Sequence, residues 1–395
     1  MIFSIIVFLI LLSVLVLIHE LGHFLTAKKF GIKVEEFGFG FPPKALSIKR
    51  GETVYSINWL PIGGFVKLYG EDDAGGGSVQ IKSAEEKDYD LKRAFFARPA
   101  LQRFIVIFAG VVMNFFLAAL IFYTYFFITG FKAEIPLIGD YHFFGVKQEV
   151  LANVVGFVEK GSPADIAGMR PPIKITKVAG KTPTPSENVI QMINQYKGQK
   201  IIIEGENLAT YKTVTYVLTP RVNPPKGQGP IGIGLDENAE LTYDTPLQKI
   251  FSGFVHPVNL MAYNLYAIKQ VIEVSFATHN AGLATEGFSG PVGIFRILSD
   301  LLSIPNLKEK LSQVLNLAGL LSISLAFFNV LPIPALDGGR LFFILIELVT
   351  RRKVPAKYET AAHAVGLAVL LCLILVVTFF DIVKLIPGQT LLPKM

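Results

Sequence analysis

Residues 2–25 read IFSIIVFLILLSVLVLIHELGHFL, and this stretch decides what kind of protein the chain is. Seventeen positions from Ile2 to Ile18 carry no charge. An apolar run of this length is a candidate membrane-spanning helix. It ends in His19-Glu20-Leu21-Gly22-His23. Residues four apart share one face of a helix, so His19 and His23 can present two imidazoles to one ion. Glu20 points near that ion without having to bind it. Two His ligands plus a carboxylate base is the pattern of a zinc site that activates water. The competing reading is that the three residues serve packing. Ionisable groups inside a span are expensive and mark functional sites by default, which favours the metal. If the helix enters the membrane at Ile2 from the outside, His19 lies about 26 Å along it, near the cytoplasmic side of a core about 30 Å thick.

The rest of the composition agrees with a membrane protein. The chain has 395 residues, 51% of them hydrophobic, with a mean hydropathy of +0.49. Four spans are expected: Ile2 to Leu25, Phe104 to Ile128, Leu311 to Val330, and Ala361 to Ile386. No Lys or Arg precedes the first run and no small-residue cleavage site follows it, so it reads as a retained helix rather than a leader. The net charge of +6 is loop charge that sets topology, not a nucleic-acid surface. Residues 26–103 hold thirteen Lys/Arg, and Arg340, Arg351, Arg352, Lys353 and Lys357 lie between the last two spans. The positive-inside rule places both connections in the cytoplasm, and both termini and residues 131–310 outside. Cys372 is the single cysteine, so a metal has to be held by His and carboxylates.

Between the first two spans, Phe37 to Lys49 and Thr53 to Tyr69 alternate apolar and polar residues. Turn signals stand at Gly38, Gly40, Pro42-Pro43, Arg50-Gly51 and Gly63-Gly64. This predicts a β-hairpin, rich enough in Phe, Ile, Leu and Trp59 to dip into the membrane where protein or water satisfies its backbone. Residues 71–92 read as an acidic, glycine-rich surface loop. Residues 150–235 read as a small α/β domain, with strands at Val154–Val158, Ile173–Val178, Lys200–Glu204 and Thr213–Leu218 and a helix at Asn188–Tyr196. Pro246–Phe276 has helical periodicity and few charges, as in a helix lying on a membrane surface.

Two His ligands leave a catalytic zinc short of its usual three. Asp337, in FNVLPIPALDGG at 328–339, is the candidate third. It follows the third span and so reaches a similar depth. Pro332 and Pro334 break the helix and let the chain turn back toward the first span. An isolated Asp-Gly is also an ordinary turn signal. Asn329, near the end of the same span, can hydrogen-bond a substrate backbone or an oxyanion, or serve helix packing.

Taken together these residues resemble the site-2 protease family of intramembrane metalloproteases, in its bacterial sigma-factor-regulating branch. The marks are the HELGH helix, VEEFGFGFPPK followed by LPIGGFVKLYGED, GVVMNF at 110–115, SGPVGI at 289–294, and NVLPIPALDGG. The resemblance implies Zn2+ held by His19, His23 and Asp337, with Glu20 as catalytic base and Asn329 on the substrate backbone. It implies a site in the bacterial cytoplasmic (inner) membrane. The substrates it implies are single-span membrane proteins such as anti-sigma factors, and remnant signal peptides. The hairpin resembles the family's membrane-reentrant β-loop, which makes Gly38, Gly40, Gly63 and Gly64 candidate substrate-binding positions; a sheet edge can hold a chain extended by strand addition. Gly156–Val217 resembles a PDZ domain. One such unit is visible, and Arg170-Pro171-Pro172 replaces the Gly-Asp that usually ends its second motif.

The expected fold is a polytopic α-helical membrane protein of about four spans, with a membrane-associated β-hairpin or sheet and an inserted extracytoplasmic PDZ-like α/β domain. Its expected division is a first span (1–30), a cytoplasmic or reentrant β region (31–103), a second span (104–130), the PDZ-like domain (131–235), a membrane-surface region (236–310), a third span with the Asp337 motif and a cytoplasmic loop (311–360), and a fourth span with its tail (361–395). Two other function classes compete: a metal-ion transporter using the His/Asp cluster, and a catalytically inactive scaffold presenting the PDZ-like unit.

Overall fold

The computed structural model describes residues 2–71, 91–184, 188–208, 212–225, 228–278 and 290–384. In chain order, α1 (Ile2–Lys29) leads into β1 (Val34–Arg50) and β2 (Thr53–Leu68), and then α2 (Ala100–Thr129). An α/β unit follows: β3 (Lys132–Pro136), β4 (Lys147–Val158), the short α3 (Pro163–Ile166), β5 (Ile173–Val178), α4 (Val189–Gln195), β6 (Ile201–Asn207), β7 (Lys212–Leu218) and β8 (Ile233–Thr242). The chain ends in helices α5 (Pro246–Thr278), α6 (Pro291–Leu302), α7 (Leu307–Val330), α8 (Asp337–Thr350) and α9 (Ala356–Lys384).

Among the described residues four helices are long and apolar enough to cross a membrane: α1, α2, α7 and α9. They match the four expected spans, each extended by a few residues at its start or end. The extra turns hold polar residues, which helices carry past the hydrocarbon edge. The expected fourth span runs to Ile386, but residues 385–386 lie outside the described part. α2 is the central helix, packed against α1, α5, α7 and α8. α9 is hardly buried inside the protein and faces outward along most of its length.

The β region between the first two long helices differs from a plain hairpin. β1 and β2 each run through positions that the sequence marks as turns. Gly38, Gly40, Pro42 and Pro43 stay within β1, Gly63 and Gly64 within β2, and the reversal itself comes between Arg50 and Thr53. The reason is that the strands bend while remaining paired. Residues 36–39 have neighbours on both sides: Phe37 lies opposite both Tyr55 and Val66, and Gly38 opposite both Ser56 and Phe65. The bends use left-handed glycines, φ +76° at Gly40 and +73° at Gly63. Leu46, Ile48, Ile57, Trp59 and Leu60 are exposed among the described residues, forming an apolar surface. Ser13 on α1 donates to the carbonyl of Pro61 at 3.0 Å. Ser13 is six residues before His19, about 9 Å along the helix, so the bent end of the sheet is attached that far from the histidines toward the start of α1.

The α/β unit is a six-stranded sheet of order β3-β8-β4-β5-β6-β7. Its core holds Val155, Ile173, Ile175, Met192, Ile193 and Ile203. α4 starts with a capping box, Asn188 and Gln191 satisfying each other's backbone amides. β8 and β3 had no strand signal in the sequence reading. β8 carries Asp236, Glu237 and Glu240, and it forms because β4 pairs with it along its length. The sheet therefore continues through the expected boundary at 235 to Thr242. Likewise the segment expected as a cytoplasmic loop after the third span is largely helix, α8.

Candidate active site

His19 and His23 are one turn apart on α1 and both are buried. Two contacts from α2 aim their rings. His23 Nδ1 donates to the carbonyl of Val106 at 2.9 Å. His19 Nδ1 lies 3.3 Å from the side-chain amide of the fully buried Asn114. The amide atom facing it is Nδ2; exchanging the amide's N and O would bring Asn114 Oδ1, which is buried with no hydrogen-bond partner, to this position to accept the Nδ1 proton. Both imidazoles then direct Nε2 inward, 3.1 Å apart. Asp337, the first residue of α8, completes a triangle: its Oδ2 is 2.8 Å from His19 Nε2 and 3.2 Å from His23 Nε2.

This triangle fits a metal ion. Ligand atoms about 2.0–2.1 Å from a tetrahedral zinc stand about 3.3 Å from one another. The three separations here are 2.8, 3.1 and 3.2 Å. Among the described residues these three form the one His/Cys/Asp/Glu group with such spacing. Second partners on the far ring nitrogens fix the tautomers, as in metal sites generally.

The helices approach closely here because two glycines allow it. A Cβ on Gly22 would stand 2.4 Å from the Ala109 carbonyl oxygen. One on Gly110 would stand 2.5 Å from His23 Nε2 and 2.7 Å from His19 Cε1. Gly110 and Asn114 were quoted in the sequence only as part of GVVMNF, with no role. The available signal was a polar residue inside an apolar span with a glycine four positions before it.

Asp337 is held by the elbow between α7 and α8. Ala335 takes a positive φ of 79° and donates its amide to His363 Nδ1 on α9 at 2.9 Å. A Cβ on Gly366 would meet the Pro334 carbonyl at 2.6 Å, so α9 sits tightly on the elbow. At the other end of α8, Glu347 takes a bidentate hydrogen bond from Arg103 of α2, at 2.6 and 2.7 Å. His363 was also missed by the sequence reading; its position in an apolar span was the clue.

Glu20 is beside the triangle, and its Oε2 accepts the backbone amide of Val66 at 3.0 Å. Val66 belongs to the stretch of β2 that pairs with β1 on its other side. The amide thus points off an edge of the sheet that no described strand pairs with. By strand alternation the backbone groups of Gly64 and Leu68 face the same way. A cavity of about 740 Å³ lies against this edge, lined among others by Glu20, His23, Phe65, Val66, Asp337 and Arg340.

The other candidate substrate-binding residues lie nearby but not on the cavity wall. Asn329 is half-buried in the last turn of α7. Gly38 is inside the sheet, where a Cβ would strike the Phe65 ring. Gly40 closes against the Leu60 carbonyl, and Gly63 and Gly64 rest on Val16 and Leu17 of α1.

The sequence profile of peptidase family M50 matches residues 7–373. The chain belongs to peptidase family M50. Relatives match over nearly their whole lengths. A Clostridium perfringens protein provisionally named a zinc metalloprotease is 34% identical over 94% of this chain and 96% of its own. Zinc metalloprotease RasP of Geobacillus kaustophilus is 27% identical over 96% and 98%. The regulator of sigma-W protease RasP of Bacillus subtilis is 26% identical over 97% and 99%. This M50 chain is accordingly a zinc metalloprotease, and its four apolar helices make it a multi-pass membrane protein.

Proposed function

We propose that this M50 peptidase cleaves single-span membrane proteins within the bilayer, with zinc held by His19, His23 and Asp337 and Glu20 as the catalytic base. The observation that carries the proposal is the ligand triangle with Glu20 beside it, anchored to a free sheet edge. Zinc held there supplies Lewis acidity toward water and a peptide carbonyl. Glu20 takes the proton from the attacking water and passes it to the leaving amine. The Val66 amide orients the Glu20 carboxylate for both transfers. Asn114 and Val106 hold the Nδ1 protons of the two histidines, which keeps each Nε2 available. Asn329 stands close enough in sequence and depth to contact substrate backbone once a substrate is seated.

A helical segment cannot present its backbone to such a site, because its amides and carbonyls are already paired. The open edge at Gly64–Leu68 supports a different pose: the substrate adds as an extended strand, its carbonyls and amides meeting those of β2. Gly38, Gly40, Gly63 and Gly64 serve this by letting the sheet bend and press against α1. The edge also argues against a metal-ion pathway, which has no use for a backbone template beside the carboxylate.

Charge supports a cytoplasmic-side location for the site. Lys28 and Lys29 end α1, and Arg351, Arg352 and Lys353 follow α8. On the positive-inside rule these ends are cytoplasmic, which puts both termini and the α/β unit outside and the site near the cytoplasmic side. In this reading 131–235, extended to Thr242, is the PDZ-like domain. α5 then lies along the outer membrane surface, with Leu247, Phe251, Phe254 and Val258 exposed on one side. The similarity to RasP supports substrates of the anti-sigma-factor type, with remnant signal peptides as a second class.

The test is cleavage of a single-span substrate in liposomes by the full chain. Glu20→Gln is expected to abolish cleavage while bound zinc, measured by mass spectrometry, stays at the wild-type level. Wild-type cleavage by that variant would overturn the mechanism.

A further inference from the structure

The catalytic cavity is lined in part by a mostly buried ion pair that the chemistry above does not use. Glu71 stands just past the end of β2, its amide bonded to the Leu68 carbonyl at 3.1 Å. Arg340 is one turn along α8 from Asp337. Arg340 Nη1 donates to Glu71 Oε1. Both side chains are mostly buried, 24% and 16% exposed. On the far side lies a second cavity of about 50 Å³, lined by Gly70, Phe96, Arg103 and Glu359. Glu71, Arg340 and Ile107 line both spaces, so they form the wall between them.

Stability alone is a poor reason for this arrangement. Taking two charges out of water costs about as much as their attraction returns, and apolar replacements of similar volume are often neutral or better. What the pair does achieve is geometric. It ties the strand whose edge faces Glu20 to the helix that begins with Asp337. It also sits just beyond the end of that edge, since Glu71 follows β2 by three residues and lines the same cavity. The Arg340 side chain lines the cavity, and a guanidinium carries further N–H donors beyond the one Glu71 takes. The last carbonyl of a strand abutting the pair has a donor to meet.

We propose that the Glu71–Arg340 pair is a stop that sets the register of the substrate strand along β2, and hence which peptide bond lies over the metal. Arg340 and Glu71 are positioning residues for the proteolytic reaction. This rests on the strand-addition reading above. Side chains on a strand alternate, so a slip of one residue turns every side chain to the opposite face, whereas a slip of two preserves the faces. Loss of the stop therefore gives cuts displaced by two residues.

The experiment maps cleavage sites by mass spectrometry of both products, using the full chain and one single-span substrate in liposomes. Glu71→Gln keeps the shape and removes the charge; Glu71→Asp keeps the charge and shortens the reach, and stands in should the first variant fold poorly. The expected result is normal zinc content, a drop of about tenfold or more at the wild-type bond, as a shift of an ångström or more demands, and new products displaced by two residues. An unchanged set of cut sites, at whatever total rate, overturns the proposal, and so does loss of zinc with the cut sites preserved. The protease reading fails separately, if the wild type leaves the substrate uncut or Glu20→Gln still cuts it.

Discussion

Gly110→Ala adds one methyl group to α2 at the point where it meets both histidines. The new Cβ would stand 2.5 Å from His23 Nε2, 2.6 Å from His23 Cε1 and 2.7 Å from His19 Cε1. Relief requires movement of about 1 Å, since ordinary carbon contacts begin near 3.5 Å. The rings cannot simply swing away. His23 is tied to Val106 through Nδ1 and His19 to Asn114, both on the helix that carries the methyl group. Two effects compete in stability. Alanine is better than glycine in a helix interior by about 0.8–1.0 kcal/mol, and overpacking costs about 1–3 kcal/mol. The net loss is at most about 2 kcal/mol, so the variant should fold. Catalysis has no such offset: a misplacement of about 1 Å at a reacting centre costs about a hundredfold. The expected outcome is a protein with near-normal melting and a cleavage rate at least about a hundredfold lower, with weakened zinc retention against a chelator. Turnover within about twofold of wild type with full zinc occupancy would refute the argument, because it would mean that the ring positions do not matter.

Three further outcomes follow from the same geometry. Asp337→Ala removes a proposed ligand, and zinc affinity should fall by more than the roughly 10–100-fold that follows loss of an outer partner; equilibrium dialysis with a chelator measures it. Asn114→Leu keeps the volume and loses the hydrogen bond to His19, so zinc affinity or turnover should fall by about 10–100-fold with little change in stability. At the reversal between β1 and β2, Glu52 accepts hydrogen bonds from Arg93 at 2.7 and 2.8 Å and from Lys28 at 2.7 Å. The Arg93 guanidinium, followed by Lys28, holds its carboxyl down to about 2 from an ordinary 4.5. A carboxylate whose pKa is depressed on folding stabilises the fold above the unfolded value and stops doing so as pH falls through the folded one. The attachment of the hairpin should therefore be unaffected from neutral pH to about 4.5 and weaken between there and about 2. Protease nicking of the hairpin, compared with Glu52→Gln, reports it; the variant should lack this acid dependence.

Much of the site was legible because its residues are chemically out of place. His19, Glu20 and His23 stand in an apolar helix, where nothing but function or pairing supports them. Asp337 was harder, since a lone Asp-Gly is a turn in most chains. Its depth after the third span was what linked it to the first. The four spans were legible from length and hydropathy alone, and Ile173–Val178 from its alternation. What failed did so for tertiary reasons. β8 is rich in acidic residues and becomes a strand only because β4 lies beside it. Gly38, Gly40, Gly63 and Gly64 look like turn residues, and a sequence gives no means of knowing that strands pass through them and bend. Asn114 and His363 each carry a visible polar signal, but their partners, His19 and the amide of Ala335, are 95 and 28 positions away.

The proposed metal ligands come from α1 and α8, with His19 and Asp337 separated by 318 positions. Yet the element that aims the histidines contributes no ligand. Val106, Gly110 and Asn114 are spaced by four along one face of α2, and His19 and His23 by four along one face of α1. The pairs run in opposite order, His23 with Val106 and His19 with Asn114, as antiparallel helices require. In a membrane there is no competing water to satisfy a ring nitrogen, so each Nδ1 proton needs a fixed partner at a fixed height. Two helices with matched four-residue rows supply two such partners at once. The glycine between them removes the one side chain that would stand where the rings must go. The proposed zinc site is therefore a property of how closely α1 and α2 can pack, and the HExxH motif is only the half of it that lies on α1.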